Sequence, residues 1–348
     1  MEPDVLRIID ANLNRAREAL RVIEDHARFV RDDAAAAGDV KRCRHELRAI
    51  IAAIGPNALL AARDIVSDVG RDLKTAGELQ RSSTDDVARA AFGRMSEAAR
   101  VLGEYGKLVS PPVAAAAEAL RYRTYELEQR IILRGTLRQR FRAVRLYVLL
   151  TEALCRGPWL ETAAAAIRGG AGCLQLREKN LADGELLTRA RRLRELTTAH
   201  GVLLALNDRP DIARLAQADI VHVGQDDLSV QDVRRIAGAS ILVGKSTHTP
   251  AQFEAALAEE PDYLAVGPMF PSDTKPQEHI AGPHTLAAAR ARTALPLVAI
   301  GGITGLKIAE IVASGANCVA ACAAVIGAEN VRAAAADLRA RIDGAAKE

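Results

Sequence analysis

The chain has 348 residues, 49% of them hydrophobic and 3% aromatic, with a formal net charge of +3 and five cysteines. That length and apolar content suffice for one large core or two smaller ones. The weak charge and scarce aromatics argue against a nucleic-acid partner or an anionic membrane surface, and no stretch approaches the roughly 18 apolar residues of a membrane span.

The cysteines form no CxxC pair, and most lie in apolar or helical contexts, which suits a reducing, cytoplasmic setting. The first thirty residues are heavily charged and lack the apolar core of a signal peptide. Leu6, Ile9, Leu13, Ala16, Leu20, Ile23 and Ala27 recur at three- and four-residue steps, so a long amphipathic helix is predicted there. A second helix is expected over about 37–54, stopped by Gly55-Pro56. A polar link from Arg63 to Gly70 follows, and Ser83-Thr84-Asp85-Asp86 then reads as the cap of a third helix reaching about Leu108. Pro111-Pro112 opens a fourth, expected to run to about Arg134.

This region repeats itself. Arg15 to Val22 matches Arg94 to Val101, and Arg42-Cys43-Arg44 falls on Arg121-Tyr122-Arg123 at the same spacing. Two duplicated helix pairs predict an all-α domain over 1–136. Its Arg/Glu pattern reads as a solvated, salt-bridged face. The competing reading is a small acidic ligand held between the repeats by Arg15, Arg63, Asp64 and Arg94.

From about Arg140 short apolar runs alternate with helical stretches. Strands are predicted at 144–150, 173–176, 202–206, 219–223, 241–243, 262–266, 297–300 and 317–321. Helices fall at about 158–168, 183–199, 209–216, 229–237, 249–259, 283–293, 304–314 and 328–342. Eight such units predict an α/β fold, a (β/α)8 TIM barrel over 137–348, with an open doubly wound sheet as the alternative.

In a barrel the chemistry sits at the C-terminal strand ends, and there the sequence is dense in polar residues. Gln175 to Lys179, Asn207 to Pro210, Gln225 to Asp227, Lys245 to His248, Gly267 to Pro276 and Gly301-Gly302 follow strands 2 to 7, while the strand starts read as less polar. Alternation places Gln175, Arg177 and Lys179 on one face, two of them cations able to grip anionic oxygens. Asp208 and Asp227 lie at neighbouring strand ends and suit a hard cation such as Mg²⁺ bridging to a diphosphate. Asp226 is the alternative ligand, or a capping group. Ser272, Thr274 and Lys275 form a hydroxyl-and-cation loop for phosphate, and Gly301-Gly302 leaves amides open to one. No serine or cysteine has a base and an orienting acid at recognisable spacing. The set fits transfer chemistry in which diphosphate departs and the protein stabilises the developing negative charge.

QLREK at 175–179, NDR at 207–209, VHVGQDDL at 221–228, STH at 246–248, VGPMFPSDTKP at 266–276 and IGGIT at 300–304 resemble the thiamine-phosphate synthase family in order, over about 141–345. The N-terminal region resembles the helical extension of some bacterial members. The resemblance implies an alkyl-transferase (EC 2.5.1.3) of thiamine biosynthesis. It would join 4-amino-5-hydroxymethyl-2-methylpyrimidine diphosphate to a thiazole phosphate, its carboxylated form included, with diphosphate leaving first. By the same resemblance Gln175, Leu176, Arg177, Glu178, Lys179, Asn207, Ser246 and Lys275 line the pyrimidine diphosphate site, with Arg177, Lys179, Ser246 and Lys275 the catalytic set. Asp208 and Asp227 hold Mg²⁺. Ser272, Asp273, Thr274, Gly302, Cys322 and Ala323 line the thiazole phosphate site. The partners implied are these small molecules alone, with self-association left open. The rival functions are a thiazole tautomerase of the same fold and a non-catalytic thiamine-phosphate sensor.

Three residues depart from the family pattern: Ser272 for a threonine, Cys322-Ala323 for an aliphatic residue and a serine, and Lys245 for a small or apolar residue. Lys245 is expected to add charge near the diphosphate. Cys318 and Cys322 read as packing residues, His222 as a hydrogen-bonded group inside the barrel, and Trp159 as a helix-start packing residue.

Overall fold

The computed structural model describes residues 2–64, 80–271 and 280–346, and the chain divides into two compact units, Met1–Thr136 and Leu137–Glu348. No helix among the described residues is long and apolar enough to cross a membrane.

The first unit holds helices α1 (Pro3–Phe29), α2 (Ala34–Ile54), α3 (Pro56–Ala62), α4 (Thr84–Gly106) and α5 (Pro111–Glu128), the last continuing as a π-helical segment, Gln129–Arg134. The α1 stripe of Ile9, Leu13, Ala16, Leu20, Ile23 and Ala27 is buried against α2, α3 and α4. Asp33, Ser83 and Ser110 each accept a hydrogen bond from the amide three residues on, which satisfies a first-turn donor of α2, α4 and α5. Helix α3 was not anticipated. Gly55 takes a φ of +103°, which turns the chain, and Pro56 is pre-set to start a helix. Arg63 is engaged by Asp10 through two 2.8 Å hydrogen bonds, Asp64 lies 3.7 Å from Arg7, and Arg15 and Arg94 are exposed with no ion pair among the described residues. Residues 65–70 of the expected link lie outside the described residues.

Helix α6 (Gly135–Arg142) leads into the barrel. Its strands are β1 (Leu146–Leu150), β2 (Cys173–Leu176), β3 (Leu203–Asn207), β4 (Ile220–Val223), β5 (Leu242–Thr247), β6 (Tyr263–Val266), β7 (Leu297–Ile300) and β8 (Cys318–Ala321), all parallel and closed by pairing of β8 with β1. Between them run α7 (Trp159–Arg168), α8 (Asp183–Ala199), α9 (Pro210–Leu215), α10 (Val230–Ala237), α11 (Pro250–Ala258), α12 (Gly282–Arg292) and α13 (Ile308–Ala313), with α14 (Ala323–Ile326) and α15 (Val331–Ala345) closing the chain. β5 runs four residues past its expected end, so Lys245, Ser246 and Thr247 belong to the strand.

Strand alternation sorts the side chains into two layers. Leu174, Leu176, Leu204, Leu206, Val221, Val223 and Leu264 pack outward against the helices. Tyr147, Leu149, Cys173, Leu203, Ala205, Ile220, Leu242, Tyr263, Ala265 and Val298 fill the interior. Phe141 of α6 stacks on Tyr263 with ring centroids 4.3 Å apart, and burying such a ring stabilises the fold by roughly 2–3 kcal/mol. The strand starts are more charged than expected. Asp219, just before β4, accepts from the Leu204 amide and pairs with Arg194, while Asp262, before β6, accepts from the Val243 amide and pairs with Arg138 and Arg234. These carboxylates satisfy backbone amides at the end of the barrel away from the candidate site.

Candidate active site

The same alternation decides which polar groups reach the C-terminal mouth. Gln175, Asn207, His222 and Ser246 share the parity of the interior residues on their strands and point inward. Leu176 and Lys245 have the opposite parity. Leu176 is buried in the helix-facing layer, so only its backbone borders the mouth. Lys245 is 5% exposed and its ammonium pairs with Glu259 at the end of α11, so the expected added charge near the diphosphate is not there. Glu178 likewise turns away from the mouth: its carboxylate accepts from the Glu152 amide at 2.6 Å and lies 3.9 Å from Arg189.

Arg177 follows β2, with its backbone tied to β1 by an amide bond to Leu150 O and a carbonyl accepting from Thr151. Its guanidinium has no hydrogen-bond or ion-pair partner among the described residues, yet it bears electrostatically on Asp208, His222 and Cys322. A half-buried cation left without a protein anion is available to an anionic ligand. Lys179 reaches back over the mouth to within 3.8 Å of Asp208.

Asp208 adopts a φ of +63°, an uncommon conformation for a non-glycine residue, and its amide is held by His222 O at 2.9 Å. Asn207 donates to the Asp208 carboxylate. Burial, then contact with the Asp227 carboxylate, pushes the Asp208 carboxyl up to about 6, while Lys179 and Arg177 pull the other way. Asp227 is fixed from its own side by the Gly224 amide at 2.7 Å. Gly224 leaves that approach open, since a Cβ there would lie 2.9 Å from the Asp227 carboxylate. Asp226 is exposed and makes no such contact among the described residues. Two opposed carboxylates, with burial and its neighbour raising the proton affinity of Asp208, form a fitting seat for a hard cation. No group of three or more Asp, Glu, His or Cys suited to a metal occurs among the described residues, so a cation here would complete its shell with ligand oxygens and water.

Ser246 is held on two sides: its Oγ lies 2.8 Å from His222 Nε2, and its carbonyl accepts from Gln225. His222 is buried, which lowers it to about 4 and keeps it neutral. Its other nitrogen meets Tyr263 Oη at 2.9 Å. Tyr147 and Tyr263 were not picked out from the sequence, although strand parity alone places them inside the barrel; Gln225 stood in the polar cluster after strand 4 with no role assigned to it.

The loops after β6 and β7 lock together backbone to backbone. Gly267-Pro268 is a cis peptide, Met269 donates to Ile300 O at 2.9 Å and Phe270 to Gly301 O at 3.0 Å. Gly302 has a φ of +66°, and a Cβ there would fall 2.4 Å from Phe270 O, so the residue must be glycine. The amide of Gly302 has no partner among the described residues, and that of Ala323 faces the Cys322 thiol at the start of α14. They follow the adjacent strands β7 and β8, where a phosphate is often bound in barrels. Cys322 is a free thiol raised by burial to about 11, hence unreactive. Ser272, Asp273, Thr274 and Lys275 lie outside the described residues.

The sequence can be set beside known proteins. The thiamine monophosphate synthase family matches residues 146–325, and the ThiD2 family matches residues 7–130. A thiamine-phosphate synthase of Thermosynechococcus vestitus is 40% identical over 97% of this chain and 94% of its own length. One from Gloeobacter violaceus is 40% identical over 94% of each chain. Among solved structures, a thiamine phosphate pyrophosphorylase from Pyrococcus furiosus superposes with a TM-score of 0.55 and 31% identity, covering 60% of this chain and 98% of that one. The chain therefore belongs to the thiamine monophosphate synthase family, the transferases that make thiamine phosphate.

Proposed function

We propose that the barrel joins 4-amino-5-hydroxymethyl-2-methylpyrimidine diphosphate to 4-methyl-5-(2-phosphoethyl)thiazole, releasing diphosphate, with Mg²⁺ held by Asp208 and Asp227. The observation that carries this is the meeting of Asp208 and Asp227 at the barrel mouth beside the unpaired guanidinium of Arg177 and the Lys179 ammonium. The pattern suits a diphosphate, which needs cations on several oxygens at once. Relatives of near-equal length carry the synthase name, which favours this reading over a tautomerase or a sensor.

Arg177 and Lys179 bind the diphosphate and stabilise the charge that gathers on it as the carbon–oxygen bond to the pyrimidine methylene breaks. Asp208 and Asp227 would hold Mg²⁺, which would supply positive charge to offset part of that gathering on the diphosphate. Gln175, Asn207 and Ser246 orient the pyrimidine ring, whose amino group donates electron density to the cationic methylene. The amides of Gly302 and Ala323 hold the thiazole phosphate so that the ring nitrogen faces that carbon. Ser272, Asp273, Thr274 and Lys275, which follow β6 in the sequence, complete the set by the family resemblance. No side chain becomes covalently attached, in keeping with the absence of an activated nucleophile among the described residues.

Calorimetric titration of the pyrimidine diphosphate into the full-length protein tests this reading. Tight binding that needs Mg²⁺ and weakens at least about tenfold in Asp227→Asn is expected. Equal binding with and without Mg²⁺ by both proteins would remove the carboxylate pair from the site.

A further inference from the structure

Gln175 and Ser246 stand on non-adjacent strands, yet one chain of hydrogen bonds joins them through the barrel interior. The Gln175 amide donates to Tyr147 Oη at 3.0 Å, and Tyr147 Oη lies 3.2 Å from Tyr263 Oη. Tyr263 Oη is 2.9 Å from His222 Nδ1, and His222 Nε2 is 2.8 Å from Ser246 Oγ. All four links are enclosed: Gln175 is 2% exposed, Tyr147 2%, Tyr263 0% and His222 8%. Gly244 makes room for the middle of the chain, since a Cβ there would meet the Tyr263 ring at 2.0 Å.

Proton counting gives the chain a direction. Each phenol has one proton to donate, and so does a neutral imidazole. Gln175 donates to Tyr147, which passes its own proton to Tyr263, because the thiol of Cys173, its other neighbour, is a weak acceptor. Tyr263 in turn donates to His222 Nδ1. With Nδ1 accepting from Tyr263, the imidazole proton sits on Nε2, 2.8 Å from Ser246 Oγ, to which it donates.

We propose that this chain is a polarity relay: it fixes His222 as the Nε2–H tautomer and thereby turns the Ser246 hydroxyl proton out toward the substrate. At the other end it consumes an amide proton of Gln175 and leaves the side-chain carbonyl oxygen for the substrate. The mouth thus offers a donor at Ser246 and an acceptor at Gln175, which complements a ring bearing a nitrogen lone pair and an exocyclic amino group. Reversing one link reverses both ends together. Tyr147, Tyr263 and His222 are positioning residues, and His222 is no base for Ser246, because its Nε2 has no free lone pair.

The inference rests on the reading of Gln175 and Ser246 as pyrimidine-binding residues. The test uses the full-length protein labelled with ¹⁵N-histidine, together with steady-state kinetics in the pyrimidine diphosphate. His222 should show a protonated Nε2 and an unprotonated Nδ1, and Tyr263→Phe should abolish that preference and lower kcat/KM about tenfold. Tyr147→Phe is the second variant should the first fold poorly. In a Ser246→Ala background the Tyr263→Phe effect should shrink below about twofold, as coupled groups require. His222→Gln, which can keep a donor near the Nε2 position, should retain more activity than His222→Asn. An Nδ1–H tautomer in the wild type, or unchanged kinetics in Tyr263→Phe while Gln175→Ala and Ser246→Ala are impaired, would overturn the relay alone. Full activity in both Gln175→Ala and Ser246→Ala would instead overturn the underlying site assignment.

Discussion

Replacing Asp208 by asparagine separates the carboxylate pair's effect on stability from its effect on catalysis. Folding raises the Asp208 carboxyl from 3.8 to about 6, through burial first and the Asp227 carboxylate second. A carboxyl raised by folding favours the folded state at low pH. That contribution is full below about 3.8 and is lost as pH rises through about 6, so the metal-free protein carries the whole cost at neutral pH. At about 1.4 kcal/mol per tenfold in proton affinity the cost is about 3 kcal/mol. The Asp208 side chain keeps 24% exposure, so solvent screening reduces this to about 1–2 kcal/mol. Asp208→Asn should therefore raise the barrel's melting temperature by roughly 2–8 °C near pH 7.5 without Mg²⁺, and by much less near pH 4. Added Mg²⁺ should stabilise the wild type at neutral pH and leave the variant unmoved, while the variant's turnover falls at least about tenfold. Thermal melts across pH, with Mg²⁺ or a chelator, make the comparison. Identical melts for the two proteins at neutral pH, with no response of either to Mg²⁺, would show that the two carboxylates neither strain the fold nor share a cation.

Other substitutions probe separate parts of the site. Arg177→Ala removes a guanidinium with no protein partner, so kcat/KM for the pyrimidine diphosphate should fall by about 10² or more while the melting temperature changes little. Lys245→Met should keep turnover within about twofold in steady-state assays, since that ammonium pairs with Glu259 away from the mouth. Ala323→Ser restores a hydroxyl at the start of α14, beside the Gly302 amide's strand end, and should lower KM for the thiazole phosphate by up to about fivefold. Gly302→Ala forces a Cβ to within 2.4 Å of Phe270 O at a φ of +66°, and should destabilise the barrel by about 1–3 kcal/mol in denaturant titrations.

The barrel was legible because each of its eight strands is a short apolar run set between turn residues and a helical pattern, and the strand residues found fall close to those expected. Most of the candidate mouth was legible for the same reason: Gln175, Arg177, Asn207, Asp208, Asp227 and Ser246 cluster at strand ends that only one fold brings together. What stayed hidden depends on pairings across the sequence. Lys245 and Glu178 read as site charges until their partners, Glu259 and the Glu152 amide, turn them away. Leu176 sits among site residues in sequence but has the parity of the outer layer. Tyr147 and Tyr263 lie 116 positions apart and carry no local motif, so their contact emerges only from closure of the barrel. Helix α3 escaped notice because seven residues are too few to show a period.

Synthesis of thiamine phosphate at the strand ends of the barrel is open to a direct assay. Mixing the pyrimidine diphosphate, the thiazole phosphate and Mg²⁺ with the full-length protein, and in parallel with a 137–348 fragment, tests it by following thiamine phosphate and released diphosphate together. Each protein should form both products in equimolar amounts, and a chelator should abolish the reaction. Binding of both substrates by a correctly folded full-length protein, with no thiamine phosphate formed, would contradict it.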